Sequence, residues 1–345
     1  MSDMIKCVVW DLDNTIWDGI LSEDENVSLK PWVGEMLDTL DQRGIIHSIA
    51  SRNNQADALR KLKELSIDQY FLYPQIHWGD KSESIQAIQQ KLNIAIGCIA
   101  FIDDQPAERH EVQMKLPDVY CLDAEEYETM IAHARFIPEK ITEDAKMRRL
   151  LYQQEQVRAE EEEKFGGNNI EFLRSLQMEL LVTMADEEDL ARAEELTLRT
   201  NQLNATGKTY DYNTLAEFIR SDRFSLCLCE LKDRFGSYGK IGLVLLNNTA
   251  EDIHIEMMLF SCRVISRGIG TAMICFLNNK AGATGRRLTA NFRDTGRNRN
   301  MFMTYAMAGF QDTAVMQDDC RLLVMGPDGR SELPPYLTLL DQTKI

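Results

Sequence analysis

The chain has 345 residues, of which 44% are hydrophobic, and a formal net charge of −17 at neutral pH. That length suits two domains, each with enough apolar residues for a core of its own. The acidic balance argues against general affinity for nucleic acid or for an anionic membrane surface.

No apolar leader opens the sequence and no run of about 18 apolar residues follows, so a soluble, cytoplasmic protein with no membrane partner is expected. Eight cysteines lie mostly in apolar stretches, without a C-x-x-C pair. In Cys227-Leu228-Cys229 the period of a strand puts both thiols on one face, so reduced core cysteines are expected rather than disulfides or zinc ligands.

Cys7-Val8-Val9-Trp10 reads as a buried strand of a parallel sheet and runs into Asp11-Leu12-Asp13-Asn14-Thr15. Open α/β sheets place ligands at this strand end. Two carboxylates one residue apart repel each other, so the pair needs a cation or a proton-transfer task. This D-x-D-x-T after an apolar strand resembles the first motif of the haloacid dehalogenase (HAD) superfamily. The resemblance implies Asp11 as the phosphoryl-accepting nucleophile and Asp13 as the proton donor to the leaving group.

Helices are expected over residues 33–42, 55–65 and 82–92, with strands over 45–50, 98–102 and 119–122, a βα alternation that implies a doubly wound parallel sheet over residues 1–137. Three further stretches match the remaining HAD motifs in order. Ser51 ends the second strand, where the family keeps a hydroxyl for the phosphoryl group. Lys81, in Trp78-Gly79-Asp80-Lys81-Ser82, fits the lysine that neutralises charge, and Phe101-Ile102-Asp103-Asp104 fits the acidic motif. Mg²⁺ favours a few hard oxygens plus water, so Asp11, Asp13 through its carbonyl, Asp103 and the adjoining Asp104 are the expected metal set, with Thr15 bracing the loop. Between Thr15 and Ser51 lie 35 residues, and between Ser51 and Lys81 another 29. The sheet's own elements use both intervals, which leaves no room for an inserted cap. A second domain or a protein-borne substrate is then needed to shield the site.

Residues 138–169 are charged and strongly helical. A solvated linker helix over 139–164 is expected, with the acidic run Glu160-Glu161-Glu162-Glu163 near its end and Gly166-Gly167-Asn168-Asn169 after it. Residues 170–345 change to an α+β pattern. Strands are expected over 179–184, 225–232, 241–247 and 253–261, with Asp186 capping a helix to about residue 200, and Gly236 and Gly239 in the first turn. The stretch Arg263-Val264-Ile265-Ser266-Arg267-Gly268-Ile269-Gly270-Thr271 then opens a helix. It resembles the acyl-CoA loop of the GCN5-related acetyltransferase (GNAT) fold, in which main-chain amides hold a pyrophosphate or a phosphopantetheine arm. Arg267, Gly268 and Gly270 are the candidate contacts, although the loop's usual leading Gln or Arg falls on Ile265.

The whole chain resembles the FkbH-like family of polyketide and nonribosomal peptide assembly lines, whose members pair a capless HAD unit with a GNAT-like one. The match is carried by Asp11-Leu12-Asp13-Asn14-Thr15-Ile16-Trp17-Asp18-Gly19 and by Phe101-Ile102-Asp103-Asp104-Gln105-Pro106-Ala107-Glu108-Arg109. In the second half it is carried by Leu198-Arg199-Thr200-Asn201-Gln202-Leu203-Asn204, Asp233-Arg234-Phe235-Gly236-Ser237-Tyr238-Gly239 and Phe260-Ser261-Cys262-Arg263-Val264. The resemblance implies a glyceryl transferase/phosphatase that takes a phosphorylated three-carbon unit from 1,3-bisphosphoglycerate, removes the phosphate and loads an acyl carrier protein. Many members carry Cys-Ser-Lys-Asn at the second motif, where the Cys is associated with a glyceryl thioester. Here the residues are Ala50-Ser51-Arg52-Asn53, and alanine cannot be a nucleophile. Cys262 is the leading substitute thiol. Two other functions stay open, a plain phosphatase and a non-catalytic scaffold for the GNAT-like half. A basic strip over residues 280–300 (Lys280, Arg286, Arg287, Arg293, Arg297, Arg299) is the expected dock for an acidic carrier.

Overall fold

The computed structural model describes residues 4–24, 26–138, 140–166, 169–200 and 202–345. Glu139, Gly167, Asn168 and Asn201, each part of a stretch singled out above, lie outside the described residues. The chain divides into two compact units, residues 1–153 and 154–345. Among the described residues no helix is long and apolar enough to cross a membrane.

The first unit is built on five parallel strands, β1 (Cys7–Trp10), β2 (Ile46–Ser51), β3 (Gln75–Ile76), β4 (Ile99–Asp103) and β5 (Tyr120–Asp123), in the order β3-β2-β1-β4-β5. Strand alternation sends Val8, Trp10, Ala100 and Ile102 to one face, against Met36, Leu37, Leu40 and Leu62 of helices Val33–Gln42 and Gln55–Glu64. Cys7, Val9, Ile99 and Phe101 face the other way, against Ile85 and Ile88 of helix Lys81–Leu92 and Val112 of helix Pro106–Lys115. Both faces are thereby covered, as an all-parallel sheet requires. Between β1 and helix Val33–Gln42 lies only a short ribbon, Trp17–Asp18 with Ser28–Leu29, and between β2 and β3 only one helix and a turn. Among the described residues no cap is inserted at either place.

In the second unit eight strands form one mixed sheet. They are β6 (Met178–Met184), β7 (Phe224–Asp233), β8 (Gly236–Asn248), β9 (Asp252–Phe260), β10 (Arg287–Phe292), β11 (Phe310–Gln317), β12 (Cys320–Met325) and β13 (Leu337–Gln342), ordered β11-β12-β10-β9-β8-β7-β6-β13. Helices Leu190–Arg199 and Tyr212–Arg220 pack on one face, helices Ile269–Ala283 and Arg299–Ala308 on the other. Cys227 and Cys229 share the second face while Leu228 takes the first, and all eight cysteines are reduced. Burial pushes the Cys227 thiol up to about 12.

β9 and β10 run parallel and pair only through residues 252–255 and 287–290. Beyond that they splay, and residues 203–205 fill the gap. Ala205 N–H donates to the Met258 carbonyl at 3.0 Å, Phe260 N–H to Leu203 O at 2.9 Å, and Arg293 N–H to Ala205 O at 3.0 Å.

Three local expectations need correction. Gly236 closes the β7–β8 turn opposite Asp233, but Gly239 is not part of it. Arg234 and Phe235 turn the chain, and both glycines belong to β8, where the register shifts between Ser237 and Gly239. Asp186 does not cap its helix, because its carboxylate takes the Glu188 and Asp189 amides in a turn and the helix starts at Leu190. The expected linker is a short helix, Glu143–Lys146, and a long one, Arg148–Phe165, and the division between the units falls within the long one. Its second half is mostly exposed, as a solvated helix would be, but it carries one buried anchor. Arg158 is 1% exposed, forks onto Asp233 at 2.8 and 3.0 Å, and stacks 3.7 Å from the Tyr238 ring centre.

Candidate active site

Four side chains named from the sequence meet at the C-terminal edge of the parallel sheet. Asp11 follows β1, Ser51 ends β2, Lys81 opens the helix after β3, and Asp103 ends β4. All four are buried, Asp11 at 4% and Lys81 at 3% exposure. The Lys81 ammonium lies 2.8 Å from Asp11 Oδ1 and also bonds Asp103 Oδ2, so one buried cation serves two buried carboxylates. Burial pushes the Asp11 carboxyl up to about 7, and the negative charge of Asp103 adds to this, while Lys81 and a hydrogen bond from Ser51 pull it down. Lys81 itself is raised: burial opposes its charge, but the two aspartates outweigh it.

Asp104 completes the acidic group. Ligand atoms of Asp11, Asp103 and Asp104 lie within 4.8 Å of one another. Asp104 Oδ1 is buried and has no hydrogen-bond partner, and burial with the charge of Asp103 raises its carboxyl. A partnerless buried oxygen beside two further carboxylates is a donor set suited to a small hard cation, and Mg²⁺ fits it. Thr15 ties this corner together, its buried hydroxyl accepting from the Asp104 amide at 3.2 Å.

Asp13 turns away from that group. Its Oδ1 takes the Trp17 indole N–H at 2.8 Å and the Leu21 amide at 3.1 Å, and its Oδ2 takes the Asn53 side-chain amide at 3.0 Å. Its carboxylate is therefore no metal ligand in this arrangement, and only its main-chain carbonyl is left for that role.

The sequence reading gave no role to Trp17, Asn53 and Arg109. Arg109 donates to the Asp103 carbonyl at 2.6 Å and to Asp123, fixing the end of β4. The only sequence signal was their presence inside the quoted motifs. Arg52, next to Ser51, is drawn outward by Glu108 at 2.8 Å and by Asp80 at 3.5 Å. Ala50 is fully buried among Cys7, Val9 and Phe101.

The remaining candidates belong to the second unit. Cys262 is half-buried at the start of the turn Cys262–Val264. Gly268 caps helix Ile269–Ala283 with φ of 74°, a left-handed conformation that favours glycine, and a Cβ there would collide with the Tyr336 hydroxyl. Arg267 is not open to a ligand. It is 2% exposed and held by Glu155 at 3.1 Å and Glu162 at 3.2 Å. A cavity of about 90 Å³ touches Gly268, Gly270 and Thr304, and another of about 520 Å³ is lined by Thr271, Arg330, Ser331, Glu332 and Tyr336. The basic strip is partly occupied by internal pairing, Lys280 with Asp341, Arg287 with Asp252, and Arg293 with the Thr206 carbonyl, while Arg297 and Arg299 are exposed.

No family model matches the chain. It is similar to human magnesium-dependent phosphatase 1, with 28% identity over 141 residues, 35% of this chain and 79% of the relative. A solved structure of the N-terminal part of a Bacteroides fragilis protein, containing a phosphatase domain complexed with Mg, is 29% identical with a TM-score of 0.35. The match covers 40% of this chain and 42% of that one, less than half its length. The ribosomal-protein-S18-alanine N-acetyltransferase of Escherichia coli is 13% identical with a TM-score of 0.33, over 43% of this chain and 97% of that one. The architecture expected from the sequence, a doubly wound parallel sheet followed by a mixed α+β unit, is the one the chain has.

Proposed function

We propose that the first unit is a Mg²⁺-dependent phosphatase of the HAD type, and that the whole chain removes phosphate from a phosphorylated three-carbon acyl unit and loads that unit on an acyl carrier protein. The observation that carries the phosphatase reading is the buried Lys81 ammonium bound to both Asp11 and Asp103 beside the partnerless oxygen of Asp104. The names of the human relative and of the Mg-bound Bacteroides domain support both the reaction and the metal.

In this reading Asp11 Oδ attacks phosphorus, a carboxylate–phosphorus bond forms and the bond to the leaving oxygen breaks. Asp13 gives that oxygen its proton, then takes one from the water that hydrolyses the aspartyl phosphate, so inorganic phosphate leaves and Asp11 is regenerated. Lys81 and the Ser51 hydroxyl hold the phosphoryl oxygens, and Thr15 keeps the β1 loop against the β4 loop. Bound Mg²⁺, held by Asp11, Asp103, Asp104 and the Asp13 carbonyl, would neutralise charge on the transferring group.

The acyl-transfer half rests on the FkbH-like motifs and on the glycine loop with its adjoining cavities, along which a phosphopantetheine arm would approach Gly268 and Gly270. Ala50 excludes a thioester at its own position, which leaves Cys262 or direct transfer to the carrier thiol. The same alanine favours the alternative, phosphatase activity without acyl transfer. The test is intact-mass spectrometry of a carrier protein incubated with enzyme, Mg²⁺ and 1,3-bisphosphoglycerate, with free phosphate measured in parallel. Loaded carrier plus phosphate supports the full reading, and phosphate alone supports the plain phosphatase. Neither product supports a scaffold.

A further inference from the structure

We infer that Asn53 is a positioning residue that fixes which oxygen of Asp13 handles the proton in phosphoryl transfer. The inference rests on the reading of Asp13 as general acid and base. Asp13 Oδ1 accepts two hydrogen bonds, from Trp17 Nε1 and from the Leu21 amide. An sp² carboxylate oxygen has two lone pairs, so Oδ1 has none to spare. Oδ2 accepts one, from Asn53 Nδ2 at 3.0 Å. Proton exchange with a leaving oxygen or a water must then run through Oδ2, and the direction of its free lone pair is set by where Asn53 donates.

Asn53 is itself fixed. Its side chain is 3% exposed, and its Oδ1 accepts from the Asn54 amide at 2.9 Å, so the amide cannot flip without losing both bonds. Asn53 also lies two residues after Ser51, which bonds Asp11. One loop thus sets the nucleophile through Ser51 and the proton carrier through Asn53. On the opposite side the β1 loop is closed by a reciprocal pair, Asn14 N–H to Gly19 O at 3.2 Å and Gly19 N–H to Asn14 Oδ1 at 3.0 Å, which holds Trp17 and Leu21 in place. Asp13 is the side chain that joins the two loops.

The test exploits leaving-group chemistry. An alkyl phosphate such as glycerol phosphate needs its departing oxygen protonated, whereas p-nitrophenolate leaves unaided. Asn53→Ala removes the donor, and Asn53→Asp keeps the shape while replacing the donor with an acceptor. Both should lower kcat/KM, which reports the steps up to departure of the leaving group and not hydrolysis of the aspartyl phosphate, by about 10- to 100-fold for the alkyl ester and at least tenfold less for p-nitrophenyl phosphate. Asp13→Asn, run alongside, should show the same selectivity more strongly. Equal losses on both esters, or none, in the Asn53 variants while Asp13→Asn remains selective would overturn the role of Asn53. Loss of selectivity in Asp13→Asn itself, or no turnover of either ester by the wild-type chain, would overturn the underlying reading and the inference with it. Thermal unfolding midpoints of the variants separate a lost fold from a misplaced proton.

Discussion

Replacing Lys81 by Met retains most of the buried stem and removes the charge that serves both Asp11 and Asp103. Two carboxylates, 4% and 0% exposed, are then left without their cation, and breaking a buried ion pair from one side costs about 3–5 kcal/mol. The size of the loss depends on pH. In the metal-free wild type the Asp11 carboxyl is raised from 3.8 to about 7, so the folded state binds its proton more tightly than the unfolded chain does. That group therefore favours folding at low pH, and the advantage disappears as pH rises from about 4 to about 7. Without Lys81 the strongest opposing influence is gone, Asp11 rises further, and the variant keeps losing stability above pH 7 while the wild type does not. The gap should widen by about 1.4 kcal/mol per pH unit over that range. Urea unfolding of chelator-treated protein at pH 6 and pH 8.5 measures it. Excess Mg²⁺ should narrow the gap, because a dication can replace the ammonium as counter-charge. A loss below about 1 kcal/mol at pH 8.5, or equal losses at both values, would show that Lys81 does not hold the two aspartates together.

Four further outcomes are expected. Asp11→Asn should abolish phosphate release by at least about 10³-fold with an unchanged fold, as removal of a covalent nucleophile normally does; a phosphate assay beside a circular dichroism spectrum decides it. Asp103→Asn should raise the Mg²⁺ concentration for half-maximal activity by about tenfold or more, read from a metal titration. Ala50→Cys should give a thiol that a disulfide reagent labels only after denaturation, because Ala50 is fully buried. His47 accepts from Trp10 Nε1 at 3.1 Å and meets the Leu37 carbonyl at 3.1 Å, and burial pushes it down to about 3 from 6.5. The unfolded chain then binds the extra proton first, so stability is lost as pH falls from 6.5 towards 3. His47→Gln, which keeps an acceptor and a donor, should remove up to roughly 4 kcal/mol of that loss and lower the acid-unfolding midpoint.

The parallel sheet was legible because β1 and β4 are short apolar runs closed by an aspartate and β2 ends on Ser51, and those polar residues meet in the candidate site. Asp11, Ser51, Lys81 and Asp103 were named because they resemble the HAD motifs in order, at or just beyond strand ends, where ligands collect in this architecture. Asn53 and Trp17 escaped because an amide or an indole inside a motif looks the same in sequence whether or not it holds a carboxylate. In the second unit, turn signals misled in part: Gly236 does close a turn, yet Gly239 lies at a register shift inside β8. The helix Tyr212–Arg220 and strands β10 to β13 were not assigned at all. β11 illustrates the difficulty, since only Phe310 of its eight residues is buried and no apolar alternation marks it. Arg158 read as one more charge on a wet helix, and only Asp233, 75 residues away, reveals it as a buried anchor.

The splayed strands of the second unit have a consequence for how the sheet exchanges hydrogen with water. Two parallel strands that part company normally leave main-chain amides and carbonyls facing an open slot, to be satisfied by solvent or by whatever enters. Here residues 203–205 act as a spliced length of strand, and the amides of Phe260, Ala205 and Arg293 already have protein acceptors. In the unliganded chain those three amides should exchange on the slow timescale of the sheet interior rather than that of a loop. A guest lying along the slot would have to unzip that splice first. Its arrival would then register as deprotection of the Ala205, Phe260 and Arg293 amides, an isotope signature opposite to the protection that ligand binding usually brings.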